Sequence, residues 1–393
     1  MSDAGVLIVG ASIAGVTVAE TLRSEGYDGR ITLIGDEPNP PYVRPPLSKQ
    51  VLSGDWSVDE ATIHDAAGLE SLHIDFRPGE AATNLDLAAR VVETTRGRHP
   101  FTRLVIATGA SPRPMRGVEE SAPVLSLRTI DDAAALRSHL QAGRSLTIIG
   151  GGVLGCEVAS AARKAGCEVT MLCLEPGPTI GRAGSVLSDG VAALLREGGV
   201  DLRVEAEVVG VAGVDGALRT LVADGTVVAS EVVLSAIGCI PNTAWLARSG
   251  LDTTNGVLCD AIGQAADGVY AVGDVARWTH PVTGEARRVE HQLTAIEQAQ
   301  TVAAHIATGR IGDPIAPFFW TELFGTRILV HGTPDPAAEI TVLHGSVDDG
   351  KFVAAAVSEG RPHALIGWNM PRELRQERAK MLASAMTPDA IGA

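Results

Sequence analysis

Gly150-Gly151-Gly152-Val153-Leu154-Gly155 has the spacing G-x-G-x-x-G and follows the apolar run Leu146-Thr147-Ile148-Ile149. Between a strand and a helix, each of these glycines has a task. The first makes the turn, the second lets the backbone approach a pyrophosphate, and the third lets helix and strand pack closely. The helix start then offers N–H groups and a positive dipole end to the phosphates. Gly10-Ala11-Ser12-Ile13-Ala14-Gly15, after Val6-Leu7-Ile8-Val9, repeats the plan with Ser12 at the second position. Asp36 and Glu37 end the next apolar run, roughly 20 residues on, where an acid can hold an adenosine ribose. Val272-Gly273-Asp274 adds a carboxylate directly after another apolar run. It suits a sugar-chain hydroxyl or, equally, a cap on the following segment.

The elements that must carry these residues are legible as two βαβ units. In the first, Val18 and Leu22 mark a helix that stops at Gly26, and Ile31–Ile34 is the next strand. In the second, Val158 and Ala162 mark a helix stopped by Gly166, and Glu168–Leu172 follows. Strands ending at glycines are also expected at 104–109, 232–238 and 269–274. A helix is expected from Glu290 to Ile306, with Leu293, Ile296, Ala299, Ala303 and Ile306 on one face. From Pro314 the texture turns to short alternating strands such as 327–331 and 339–343, closed by a polar helix with Arg372, Arg375 and Arg378. The expected fold class is α/β, with two Rossmann-like dinucleotide-binding domains and a C-terminal α+β domain. The boundaries drawn are 1–113 with 243–313, then 114–242, then 314–393.

With 393 residues, the chain has room for two or three domains at about 150 residues each. It is 45% hydrophobic and 20% charged, a composition that builds cores. A net charge of −15 speaks against nucleic-acid binding, which needs a basic footprint, but leaves room for a local basic patch. The cysteines at 156, 167, 173, 239 and 259 form no Cys-x-x-Cys and no zinc spacing, as expected in a reducing compartment. No apolar run approaches the roughly 18 residues of a spanning helix. A cytoplasmic protein without a membrane segment or bound metal is expected.

Together these features resemble the two-dinucleotide flavoprotein reductases of glutathione-reductase-like architecture, in particular the ferredoxin, rubredoxin and putidaredoxin reductase branch. The most specific match is Pro41-Tyr42-Val43-Arg44-Pro45-Pro46-Leu47-Ser48-Lys49, similar to that branch's P-Y-x-R-P-P-L-S-K signature. The resemblance implies that the first loop (Gly10, Ser12, Ala14, Gly15) holds FAD and the second (Gly150, Gly152, Val153, Leu154, Gly155) holds NADH or NADPH. It places Arg44, Pro46 and Lys49 along the flavin, and Glu157 opposite Lys49 on the other dinucleotide domain. Ala107-Thr108-Gly109 and Gly238-Cys239-Ile240-Pro241-Asn242 look like the family's domain crossovers, and Asp274 matches its ribityl-binding acid. Glu290-His291-Gln292 opens the helix directed at the flavin's pyrimidine end, although two of its residues depart from the usual types. Trp320, in Pro317-Phe318-Phe319-Trp320-Thr321-Glu322, matches a tryptophan near the flavin and the docking face. No cysteine precedes 156, which argues against a thiol–disulfide relay.

The implied activity is transfer of electrons from NADH through FAD to a small ferredoxin-type iron–sulfur protein that serves an oxygenase or cytochrome P450. Direct reduction of a small molecule, and a slow redox-sensing interaction protein, are the alternatives. Cys173 stands where many relatives carry an acid, and Gly177-Pro178 replaces an arginine common there. Glu175 favours NADH, while Arg182 is the nearest residue able to receive the 2′-phosphate of NADPH. Monomer or weak homodimer is expected, and Arg372, Arg375 and Arg378 are either a basic docking face or a solvated helix paired with Glu373 and Glu377.

Overall fold

The computed structural model describes residues 4–180, 184–281, 283–313, 315–334, 337–358 and 360–385. The chain divides into two compact units. The first comprises Met1–Pro45, Ser57–Ser111 and Cys239–Pro317; the second comprises Pro46–Trp56, Pro112–Gly238 and Phe318–Ala393.

In the first unit, Val6–Val9 pairs in parallel with Ile31–Ile34 on one side and Arg103–Ile106 on the other. Ile74–Arg77, Val269–Ala271 and Gln264–Ala266 complete a six-stranded sheet. All of Val6–Val9 is buried, as a parallel strand covered on both faces requires. Its residues alternate between two cores. Val6 and Ile8 join the helices Ile13–Ser24 and Gln292–Thr308, whereas Leu7 and Val9 join Leu85, Val92 and Phe101. In the helical layer, Ala14 and Ala19 share a core with Ala295, Ala299 and Ala303, and Val16, Val18, Leu22 and Val302 fill the rest. That close packing sets the inward face of Gln292–Thr308. Leu293, expected inside, is 37% exposed, and the helix starts at Gln292 rather than Glu290.

In the second unit, the parallel order is Asp201–Arg203, Glu168–Leu172, Ser145–Ile149, Val232–Ser235 and Val124–Leu125. The helix Val153–Lys164 follows the central strand and ends before Gly166, whose φ of +85° only glycine adopts freely. Residues Phe318–Leu323, Thr326–Gly332, Glu339–Ser346, Lys351–Ser358 and Arg361–Trp368 form an antiparallel five-stranded sheet. The helix Pro371–Ala385 covers it, with Leu374 in a core with Val353, Ala355 and Leu365.

This partition differs from the expected boundaries in two places. Pro46–Trp56 leaves the first unit for the second, tied there by an ion pair of Asp55 with Lys164, 2.9 Å. Phe318–Ala393 shares the second unit with the nucleotide-fold sheet, because its first hairpin docks on the helix Val153–Lys164.

Candidate functional site

In the first unit the glycine loop is shaped by its neighbours. Gly10 has φ +118°, and a Cβ there would meet the Ala107 carbonyl oxygen at 2.1 Å. A Cβ on Gly15 would meet the Gly10 carbonyl oxygen at 1.9 Å, so the helix lies directly on the turn. Ser12 is the N-cap of Ile13–Ser24, and its side chain does not cap the helix. The first-turn N–H groups are therefore left for another acceptor. Gly273 stands where a Cβ would touch Ala14 Cβ at 3.3 Å and Ala295 Cβ at 3.5 Å. The turn carrying Asp274 thus sits beside two helix starts. Gln298 Oε1 accepts from the Gly273 N–H at 2.8 Å, and Arg288 donates to the Asp274 carbonyl at 3.0 Å.

Arg288 also pairs with Glu290 at 2.6 Å. His291 takes the N-cap position of Gln292–Thr308 without a side-chain cap. Burial pushes its imidazole below the usual range, against the pull of Asp274 and Glu290. One turn in, the Thr294 hydroxyl is buried with no partner among the described residues. Thr108 Oγ1 donates to the Asn242 carbonyl at 2.9 Å, and the Asn242 N–H donates to the Gly109 carbonyl at 3.0 Å, so the two crossover segments run together. Glu37 accepts from Arg44 at 2.7 Å and from the Tyr42 hydroxyl, while Asp36 is exposed. Arg44, expected along the flavin, is instead held at Glu37, the acid expected at the adenosine ribose.

The residues present fit an extended dinucleotide here. Close packing beneath the loop, an uncapped helix start above it and the orphaned Thr294 hydroxyl leave polar groups for FAD to satisfy.

The second unit repeats the loop. A Cβ on Gly150, φ +111°, would meet the Ala236 carbonyl oxygen at 2.4 Å, and one on Gly155 would meet Gly150 O at 2.3 Å. At Gly152, the N-cap of Val153–Lys164, a Cβ would meet nothing within 4 Å, and no side chain caps the helix. That open space over the start formed by Val153 and Leu154 fits a second pyrophosphate. Cys173 is buried beneath the loop, where a Cβ on Gly151 would strike its sulfur at 2.3 Å. Burial pushes its thiol up to about 11, so it neither replaces an acid nor acts as a thiolate near neutrality. Glu175 is exposed just past the strand, Gly238 has φ +92°, and Arg182 lies outside the described residues.

Lys49 and Glu157 meet in this unit, Nζ to Oε2, at 2.7 Å. They were expected on different domains; both are here because Pro46–Trp56, which includes buried Pro46, packs here. Oε2 also accepts from the Ser48 hydroxyl, and Oε1 accepts from Thr321 at 2.7 Å. The Trp320 ring centroid is 5.3 Å from Lys49 Nζ, within cation–π range. Nothing in the sequence marks Ser48 and Thr321 as donors to Glu157. Each stands next to a residue that does carry a signal, Lys49 and Trp320, but a neutral hydroxyl has no spacing of its own.

Residues 4–299 match the family described as pyridine nucleotide-disulphide oxidoreductase. The chain belongs to this family. It is 36% identical over 372 residues to the ferredoxin reductase component of chlorobenzene dioxygenase from Cupriavidus sp. (strain PS12), covering 94% of this chain and 90% of that one. It is 32% identical over 383 residues to putidaredoxin reductase CamA from Pseudomonas putida, covering 95% and 90%. Among solved structures, the covalent putidaredoxin reductase–putidaredoxin complex aligns with TM-score 0.91 at 31% identity, over 97% of this chain and 93% of that one. Cys156, Cys167, Cys173, Cys239 and Cys259 form no disulphide, and no cysteine precedes Cys156. Among the described residues no helix is long and apolar enough to cross a membrane.

Proposed function

We propose that this chain is an FAD-containing, NADH-dependent reductase that passes electrons to a ferredoxin-type iron–sulfur protein, serving an oxygenase or cytochrome P450 in the cytoplasm. The observation that carries the reading is the duplication: each unit has its own parallel sheet, glycine loop and uncapped helix start. One loop alone serves one dinucleotide; two serve a donor and a resident cofactor. The relatives' names add the acceptor, since they are reductase components that work with ferredoxins.

A bound flavin supplies the chemistry no side chain has, taking a hydride's electron pair and releasing electrons singly. The chain's residues bind and orient. In the first unit, Gly10, Ser12, Ala14 and Gly15 let the helix start receive the FAD pyrophosphate. Asp274 accepts a ribityl hydroxyl, and Ala107, Thr108 and Gly109 line the backbone approach. Glu37 and Arg44 serve the adenosine end, while His291 and Gln292, with Glu290 just before them, open the helix whose dipole favours developing negative charge. In the second unit, Gly150, Gly152, Val153, Leu154 and Gly155 receive the NADH pyrophosphate, with Gly238 closing the neighbouring crossover. Glu175 accepts ribose hydroxyls and repels a 2′-phosphate. Lys49 and Glu157 are the catalytic pair: Glu157 holds the Lys49 ammonium for the hydride-transfer step, and Trp320 marks the electron exit. The C-terminal α+β part of the second unit, Phe318–Ala393, carries the electron exit, and docking is transient.

Anaerobic titration with NADH should bleach the flavin stoichiometrically, and mixing with an oxidised ferredoxin should restore its colour. Bleaching without transfer to any ferredoxin, but with fast turnover on quinones, would overturn the assignment of the acceptor.

A further inference from the structure

We propose that Thr321 is a positioning residue for the catalytic pair, fixing the Glu157 carboxylate from the first strand of the C-terminal sheet so that Lys49 keeps its ammonium in place. The inference rests on the proposed role of Lys49 and Glu157. It goes beyond that role by naming what sets their geometry.

Glu157 is 6% exposed and Thr321 is fully buried. The two carboxylate oxygens are served from different segments. Oε2 takes Lys49 Nζ at 2.7 Å and the Ser48 hydroxyl, whereas Oε1 takes the Thr321 hydroxyl at 2.7 Å. Ser48 in turn accepts from Lys49 Nζ at 3.4 Å. The last torsion of a glutamate is soft, so the plane of the carboxylate is set by its partners. Without a donor at Oε1 the group would turn to share Lys49 and Ser48 between both oxygens, because a buried acceptor left unmade is costly. Turning would carry the ammonium with it.

The strand is itself held on the helix that bears Glu157. The Phe324 N–H donates to Ser160 Oγ at 2.9 Å, and residues 157 and 160 lie one turn apart on one face. Phe324 and Gly325 both have positive φ, +49° and +79°, as a two-residue hairpin turn of the I′ kind requires. A phenylalanine accepts that conformation poorly, yet its ring fills the space where a Cβ on Gly198 would lie 2.3 Å away. Thr321 and Phe324 thus register the hairpin against the helix at two points, and neighbouring Trp320 contacts Lys49. Consecutive residues of one strand therefore grip both members of the pair.

The test compares Thr321→Val, which keeps the shape and removes the donor, with Thr321→Ser, which keeps the donor, in the FAD-loaded enzyme. In anaerobic stopped-flow reduction by NADH, Thr321→Val should lower the limiting rate about tenfold, the low end of what a partner behind a reacting group contributes. The Kd for NADH should stay within about twofold, because the loss falls on the chemical step. Thr321→Ser should restore the rate. A crystal structure of Thr321→Val should show the Glu157 carboxylate turned and Lys49 Nζ moved with it, shared between Oε1 and Oε2 rather than held on Oε2 alone. An unchanged limiting rate in Thr321→Val, or an equal loss in Thr321→Ser, would overturn the inference. Lys49→Ala separates the two levels. Normal reduction there sinks the role of the pair itself, while slow reduction there with normal Thr321→Val sinks the positioning role alone.

Discussion

Lys49 Nζ stands 2.7 Å from Glu157 Oε2, joining the Pro46–Trp56 excursion to the helix that opens the second glycine loop. Both side chains are largely shielded, at 13% and 6% exposure, so each charge depends on the other. Lys49→Ala should therefore cost about 3 kcal/mol in urea unfolding, because it strands a buried carboxylate. It should also slow flavin reduction by NADH roughly 100-fold, the scale of losing one preorganised charge. The double change Lys49→Met/Glu157→Met should recover most of the stability and none of the rate. Recovery of both would make the pair a packing device.

Arg44 and Glu37 form the corresponding contact of the first unit, 2.7 Å apart, with Tyr42 shared between them. Arg44 uses Nη2 on Glu37 and Nη1 on the Tyr42 hydroxyl, a fork that an ammonium cannot reproduce. Arg44→Ala should raise the Kd of the apoprotein for FAD about tenfold, or 1.4 kcal/mol, by fluorescence titration. Arg44→Lys should recover only part of that affinity. Full recovery would mean that charge alone suffices at the adenosine end.

Why some of this was legible and some not has physical reasons. Both glycine loops could be read because Gly10 and Gly150 stand at positive φ with backbone atoms where a Cβ would go. A local steric demand leaves a local spelling. On Gln292–Thr308, Ala299 and Ala303 lie in the core and Ile306 packs against it, as the spacing predicts, and Leu293 does not. The inward face is made by Ala295, Ala299, Val302 and Ala303 in the core with Ala14 and Ala19, and Leu293 falls outside that face. The same helix starts late at Gln292, and Glu290 is held outside it by Arg288. The donors to Glu157 and the placement of Pro46–Trp56 in the second unit depend on contacts between distant segments, and no window of sequence contains them.

Glu175 should set the choice of nicotinamide nucleotide. It is exposed just past the strand Glu168–Leu172, and nearby Arg203 is engaged with Asp201 at 2.7 Å. Glu175→Arg replaces repulsion of a 2′-phosphate with attraction. The kcat/KM ratio of NADH to NADPH should fall at least about tenfold in that variant. A ratio unmoved by the charge reversal would place the adenosine ribose elsewhere.

His331 should add a pH dependence to stability. It stacks on Phe318 with ring centroids 4.3 Å apart, and burial with nearby Arg378 pushes its pKa to about 4. In the unfolded chain the imidazole titrates near 6.5. Between these values the unfolded state binds the proton and the folded state does not, so stability rises with pH across that window and is lost on acidification. His331→Gln should flatten the slope of urea midpoint against pH between about 4.5 and 6.5, and leave the slope above pH 7 unchanged. An identical slope in both proteins would assign the dependence to other groups.

The exit face should be electrostatic. Arg372 and Arg375 are exposed on the helix Pro371–Ala385, with no carboxylate in ion-pair range among the described residues. Of the two acids on this helix, Glu373 and Glu377, the second is occupied, since Glu377 accepts from His344 at 2.9 Å and from Lys380 at 2.6 Å. Leu374, between the two arginines, is buried in the sheet core, so the helix holds them outward. On a chain of net charge −15, such a face is a local exception that an acidic iron–sulfur protein would find. Ferredoxin reduction should slow as salt rises, and Arg372→Glu/Arg375→Glu should lower its kcat/KM about tenfold at low salt. Near 1 M salt, where the screening length is about 3 Å, the two proteins should converge. Flavin reduction by NADH reports whether the variant is intact, because it involves no docking. A rate indifferent to both salt and charge reversal, with that reduction intact, would move docking off this helix.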